Sequence, residues 1–160
     1  MKETIRILFE LQRSSKGSQN LKAGNEMINS NDRLNFHVRS ELTRHLREKA
    51  DLEGRQFIGD LPKGTARYTK EEPCHIIVYI CPPTRQRMDA PNWYPTIKPL
   101  IDGLTDMGMF EDDNDNVITS YTFINGGKSQ TKKYGILLEI RPGRFSEGKE
   151  CKENNARHEV

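Results

Sequence analysis

The chain has 160 residues, 34% hydrophobic and 30% charged, which allows one ordinary domain with a thin core. Lys and Arg number 25 against 23 Asp and Glu, and the net +2 selects no class of partner by itself. No apolar run approaches the roughly 18 to 20 residues of a membrane span. The stretch Met1 to Gln12 is broken by Lys2, Glu3, Arg6 and Glu10, unlike a signal peptide. Cys74, Cys81 and Cys151 contain no CxxC pair, which argues against a disulfide framework and a zinc site, and for a reducing, cytoplasmic setting.

In chain order, Thr4 to Leu11 alternates, with Ile5, Ile7 and Phe9 on one side, and predicts a strand with one wet face. Residues 14–31, rich in Ser, Gly, Asn and Lys, read as a long polar loop with almost nothing to bury, one that orders on a ligand. Leu34, Val38, Leu42 and Leu46 recur every four residues and predict an amphipathic helix over Arg33–Ala50, with Asp32 as its cap. Its arginines suit a solvated face or a phosphate-contacting one equally well. Residues 53–73 carry Gly54, Gly59, Pro62 and Gly64 and read as a second loop. Cys74 to Cys81 is a β-branched run that predicts a buried strand, stopped by Pro82 and Pro83.

Ile97, Ile101 and Leu104 mark a second helix over Pro95–Met107, with Gly108 as its left-handed end and Pro99 tolerable only in a first turn. Val117–Ile124 and Tyr134–Ile140 read as two further strands, joined across Asn125, Gly126, Gly127 and a basic connector. From Pro142 to Val160 the chain is charged and apolar-poor, which predicts a disordered tail. The expected architecture is an α+β domain over residues 1–141, with two helices packed on one mixed sheet.

Charge is unevenly placed. Asp102, Asp106, Glu111, Asp112, Asp113 and Asp115 fall within fourteen residues that hold no Lys or Arg, and without those six the chain's +2 becomes +8. A solvated acidic loop accounts for the cluster alone. An acidic spot in a basic body also suits a site holding a divalent cation, through hard oxygen ligands, against a phosphate. The run from Asp112 is no EF-hand, because its sixth and twelfth residues are Val117 and Phe123. His37, His45, His75 and His158 show no metal-ligand spacing.

The stretch densest in chemistry is Asp89-Ala90-Pro91-Asn92, then Lys98, Asp102-Gly103-Leu104, Gly108 and Asp112-Asp113. Strand end, helix face and following loop can converge on one spot, and Lys98 and Asp102 share a helical face. Each residue also has a plain reading: Asp89 as a turn residue, Asn92 as a helix cap, Lys98 as an i,i+4 partner of Asp102, and Trp93 and Tyr94 as packing.

This ordered set resembles the RusA family of Holliday junction resolvases, small endonucleases of phage and prophage. The family pattern is Asp-x-Asp-Asn, a Lys, Asp-x-Leu, a Gly and an Asp-Asp pair. The specific likeness covers about twenty-five residues, and the element order from Ile5 to Ile140 fits as well. In two places the chain departs from the pattern. Pro91 stands where the family usually has its second Asp, and three extra residues lie between Asn92 and Lys98.

The resemblance implies a homodimer that binds four-way DNA junctions and nicks symmetrically related strands with Mg²⁺ or Mn²⁺, in recombination and repair, with no nucleotide cofactor and no membrane. It makes Asp89 and Asp113 metal-binding and catalytic, Lys98 catalytic, and Asp112 a further ligand, with Asn92, Asp102 and Asp115 as additional candidates. Arg85, Arg87, Lys128, Lys132, Lys133, Arg33 and Arg39 would track the DNA backbone. Two other classes fit the same residues: a branched-DNA-binding protein without catalysis, and a non-enzymatic protein stabilised by a metal.

Overall fold

The structure is a computed structural model that describes residues 2–14 and 17–145. The expected tail lies outside the described residues from Ser146 onward. The strands are β1 (Ile5–Leu11), β2 (Cys74–Cys81), β3 (Ile118–Asn125) and β4 (Tyr134–Pro142), and the helices are α1 (Phe36–Ile58) and α2 (Tyr94–Asp106). They form one four-stranded sheet in the order β1-β4-β2-β3. β4 runs antiparallel to both its neighbours, whereas β2 and β3 are parallel. The sheet is mixed and the fold is α+β.

Alternation decides which face is covered. Ile7, Leu138 and Val78 are paired across three strands and buried together. Both helices pack on that face, where Leu46 and Ala50 of α1 and Ile97, Leu100, Ile101 and Leu104 of α2 join one core. On the order of 1.5 to 3 kcal/mol per large buried side chain is the driving force. In β3 the register slips between Cys74 and Ile76 of its partner strand, so Ile118 and, three residues on, Tyr121 both face the helices. That bulge restores the inward face after an extra residue.

The helix boundaries correct the sequence reading. α1 starts at Phe36, capped by Asn35, whose side-chain oxygen accepts from the Val38 N–H at 2.9 Å. Asp32 instead pairs with Arg13 at 2.7 and 2.8 Å. The helix also runs through Gly54 to Ile58, so the loop expected over residues 53–73 begins only at Gly59. Gly54 is a packing residue rather than a breaker: a Cβ there would lie 2.9 Å from Leu104 Cδ2. A Cβ on Gly103 would come within 2.1 Å of the Arg47 carbonyl, so the two helices touch almost backbone to backbone. The Arg47 guanidinium meets Asp106 across the same contact at 2.6 and 2.7 Å.

α2 is preceded by a 3-10 turn, Ala90–Trp93, and starts one residue earlier than expected. Pro99 therefore falls in its second turn, where the missing N–H leaves the Pro95 carbonyl without its i+4 donor. The end of α2 is as read: Gly108, at φ 94°, and Met109 donate to Thr105 and Leu104 in a Schellman arrangement.

The loop over residues 14–31 is held by more than its composition suggests. Met27 and Ile28 are buried, and so is Asn25. The Asn25 amide donates to the Gln19 and Met27 carbonyls and accepts from the Ser14 and Met27 N–H groups. The Thr96 hydroxyl bonds both the N–H and the carbonyl of Ile28 at 2.8 Å. Side-chain to backbone bonds of this kind order the described part of the loop without a ligand.

Candidate active site

The chain leaves the C-terminal end of β2, passes Asp89, and returns antiparallel through α2 to begin the parallel strand β3. Before β3, residues 107–117 run back under two anchors, Phe110 and Val117, both buried. The polar residues between them are forced outward, which is why Glu111, Asp112 and Asp115 are exposed.

Asp113 is turned back toward α2. The Lys98 ammonium donates to Asp102 Oδ1 at 2.5 Å and to Asp113 Oδ2, so residues fifteen apart in sequence share one charge. The Lys98 bond, opposed by burial and helped by the lysine's charge, holds the Asp113 carboxyl below the usual carboxylate range. Burial disfavours the Lys98 ammonium, but the hydrogen bonds to Asp102 and Asp113 prevail and raise its pKa. Both groups are charged at neutral pH. The charge of Arg47 also feels Asp102 and Asp113 beyond its pair with Asp106.

The other motif residues are placed differently. Asp112 accepts from the Asp113 N–H at 2.7 Å and from the Asn114 amide at 3.1 Å, shaping its own loop. Asp89 is exposed and its carbonyl accepts from the Asn92 N–H, but its carboxylate has no partner among the described residues. Asp115 is likewise exposed, with no side-chain partner among them. Asn92 does not cap α2, which has no side-chain cap; its carbonyl receives the Ser30 N–H at 2.8 Å and ties the polar loop to the start of the helix. Trp93 is packing: it is buried against Tyr134, with the Arg13 guanidinium 5.2 Å from its ring centre.

Hard carboxylate oxygens suit Mg²⁺ or Mn²⁺ chemically, and Asp102 and Asp113 already meet on one positive charge. Among the described residues, however, no group of three His, Cys, Asp or Glu stands close enough together to hold a metal. The structure thus joins Lys98, Asp102 and Asp113, with Asp112 hydrogen-bonded beside Asp113, and shows no contact of the Asp89 or Asp115 carboxylates with them among the described residues.

One neighbour went unremarked in the sequence. Tyr121 lies beside this cluster, its phenol pushed up by burial and by the charges of Tyr94 and Asp113. Tyr94, 43% exposed, packs edge-on against Tyr121 and Phe123 at 6.4 and 6.2 Å. The bulge in β3 that turns Tyr121 inward is not visible as a period.

The basic residues fall into two groups. The loops leaving the parallel strands β2 and β3 meet at one end of the sheet, around adjoining cavities of about 560 and 500 Å³ that share Thr84 and Lys128. Lys132 lines one and Arg85 the other. Arg87 and Lys133 are exposed on the same two loops. Arg33 instead lines a separate cavity at the start of α1, close in sequence to Arg39. Among the described residues no helix is long and apolar enough to cross a membrane. Compared with known proteins, the sequence matches no family model and no curated protein.

Proposed function

We propose that this protein is a structure-selective endodeoxyribonuclease of the RusA type, a homodimer that resolves four-way DNA junctions by metal-dependent phosphodiester hydrolysis. The observation that carries the reading is the meeting of Lys98 with Asp102 and Asp113. These are three residues of the ordered motif, brought together from a helix and a loop ahead of β3, while the basic groove lies at the end of the sheet where β2 and β3 finish. Arg85, Lys128 and Lys132 bind the DNA backbone in that groove by charge, without reading sequence. Lys98 presents a fixed positive charge to a phosphate oxygen as negative charge develops there. Asp113 holds that ammonium in place, and Asp102 fixes it from the next turn of the same helix. In this reading Asp113, its chain neighbour Asp112, and Asp89 would hold Mg²⁺ or Mn²⁺, and Asp89 would have to approach the other two when the ion binds. When bound, the ion supplies water activation and neutralisation of the leaving oxygen.

A second reading, a branched-DNA-binding protein without catalysis, draws support from Pro91 in place of the family's second Asp and from the ungathered third carboxylate. Incubating the protein with an end-labelled four-way junction and a matched linear duplex, in Mg²⁺, Mn²⁺ or EDTA, separates the two. Metal-dependent nicks in the junction alone support the nuclease. Tight junction binding without nicks under any metal supports the binding protein.

A further inference from the structure

We propose that Tyr94 stacks on an unpaired base at the branch point of the DNA, next to the phosphate that Lys98 meets, and so favours branched over linear substrates. Tyr94 opens α2, and Lys98 follows one turn later on the same helical face, with Cβ atoms about 6 Å apart. That is the spacing of a base and its phosphate within one nucleotide. The Lys98 side chain is 40% exposed on that face, so its ammonium can be reached. Trp93 is buried and serves packing, whereas Tyr94 is left exposed. Tyr94 also stands in the segment from Asn92 to Lys98 that is three residues longer here than in the RusA pattern, so the ring is a feature of this chain.

The ring is backed by two others. Tyr121 and Phe123, two residues apart on β3, meet it with ring planes at 81° and 69°, so neither lies flat on it. Among the described residues no other ring stacks flat on Tyr94 either. An aromatic side chain steadied in this way gives a base a flat partner at little cost in ordering. The Tyr121 phenol ties the ring to the site, because the charges of Tyr94, Asp113 and Asp102 all reach it. The aromatic group therefore adjoins the carboxylates that share Lys98. The occupant follows from size and chemistry. The exposed apolar surface is one ring wide, with Lys98 a turn away and the exposed Asp89 ahead of it in the chain, which is too little for a protein partner and suits a single base. A base inside a duplex already has a neighbour on each face. Where strands exchange at a branch point, a face comes free, and stacking accepts any base there.

This deepens the nuclease reading and rests on it for DNA as the ligand, so binding is measured in EDTA and cleavage is scored separately. The probe is a synthetic four-way junction with 2-aminopurine at each branch-point position in turn, beside a matched linear duplex. Tyr94→Leu, which keeps an apolar side chain against Tyr121 and Phe123, should weaken junction binding about 10-fold. Duplex binding, which offers no free base, should not follow. Tyr94→Phe should bind the junction like wild type, because the ring and not the hydroxyl is used. Stacking quenches 2-aminopurine, so at one branch-point position or more the probe should be brighter on Tyr94→Leu than on wild type. Equal junction affinity of wild type and Tyr94→Leu overturns the proposal, as does a parallel loss on junction and duplex, a probe equally bright on both proteins, or a Tyr94→Phe variant as weak as Tyr94→Leu. If the wild type still cuts junctions in those cases, only the stacking role falls. Stacking by a wild type that cuts under neither Mg²⁺ nor Mn²⁺ upholds the proposal and overturns the nuclease, and a wild type that binds no DNA overturns both.

Discussion

At the scale of single residues, Lys98 is the hinge of the account. Its ammonium is shared between Asp102 and Asp113, so removing it leaves two carboxylates facing each other without a counter-charge. Lys98→Ala should lower junction cleavage by roughly 10²–10³-fold, the scale of losing one charge-stabilising donor. Junction affinity should change little, because the basic groove is intact; gel shift and cleavage on one preparation separate the two. Asp32 provides a residue-scale test of the fold. It is buried with Arg13, and although burial opposes ionisation, the Arg13 hydrogen bonds and the Asn29 N–H hold its pKa below the ordinary value. A lowered folded-state pKa stabilises the fold above the unfolded value of about 3.9, and the contribution disappears as pH falls through the folded value. Asp32→Asn should therefore cost about 2 kcal/mol near neutrality, since it removes the charge on the half-buried partner of Arg13, which keeps the Met27 carbonyl at 3.2 Å. In urea melts the gap between mutant and wild type should close below about pH 4; a gap constant with pH would contradict this.

At the scale of elements, legibility tracked what each residue is buried against. β2 was readable to the residue because a strand covered on the core side and flanked by two others is written as an unbroken branched run. α1 was cut short at Ala50 because Gly54 has the composition of a breaker, whereas its role is to let Leu104 approach. Such a role belongs to the partner helix and leaves no local trace. The polar loop looked unanchored because Asn25 and Thr96 order it through hydrogen bonds, which hydropathy does not register. In the site, the Lys98–Asp102 pair was legible from helical spacing. The approach of Asp113 came from the family pattern, because loop closure has no period, and the inward turn of Tyr121 depends on a bulge. The two helix glycines offer a direct comparison. Gly103→Ala presses a methyl into the rigid Arg47 carbonyl and should cost about 3 kcal/mol. Gly54→Ala meets side chains rather than backbone, Leu104 Cδ2 at 2.9 Å and Met107 Cγ and Sδ at 3.3 Å, and a helix-propensity gain of roughly 1 kcal/mol offsets part of the crowding, so it should cost less. Urea melts of both variants check the order; equal losses would mean the helices can move apart.

At the scale of the molecule, the fold divides its labour by sheet geometry. One face of the sheet carries the helices and the core, and one end carries the basic groove between the loops that follow the two parallel strands. Binding through such a groove is driven by counterion release, so affinity should fall steeply with salt. Replacing Lys128 and Lys132 together by Ala should flatten the slope of log affinity against log salt by about 1.8, or about 0.9 for each phosphate no longer neutralised. An unchanged slope would place the DNA elsewhere. The central claim is narrower than binding, and one experiment addresses it most directly: wild type and Asp113→Asn, side by side on a labelled four-way junction, with gel shift and cleavage measured in Mg²⁺ and Mn²⁺. The account predicts that both proteins bind and that only the wild type makes paired nicks, confined to the junction. A wild type that binds without cutting under either metal, or an Asp113→Asn variant that cuts as well as wild type, would contradict it.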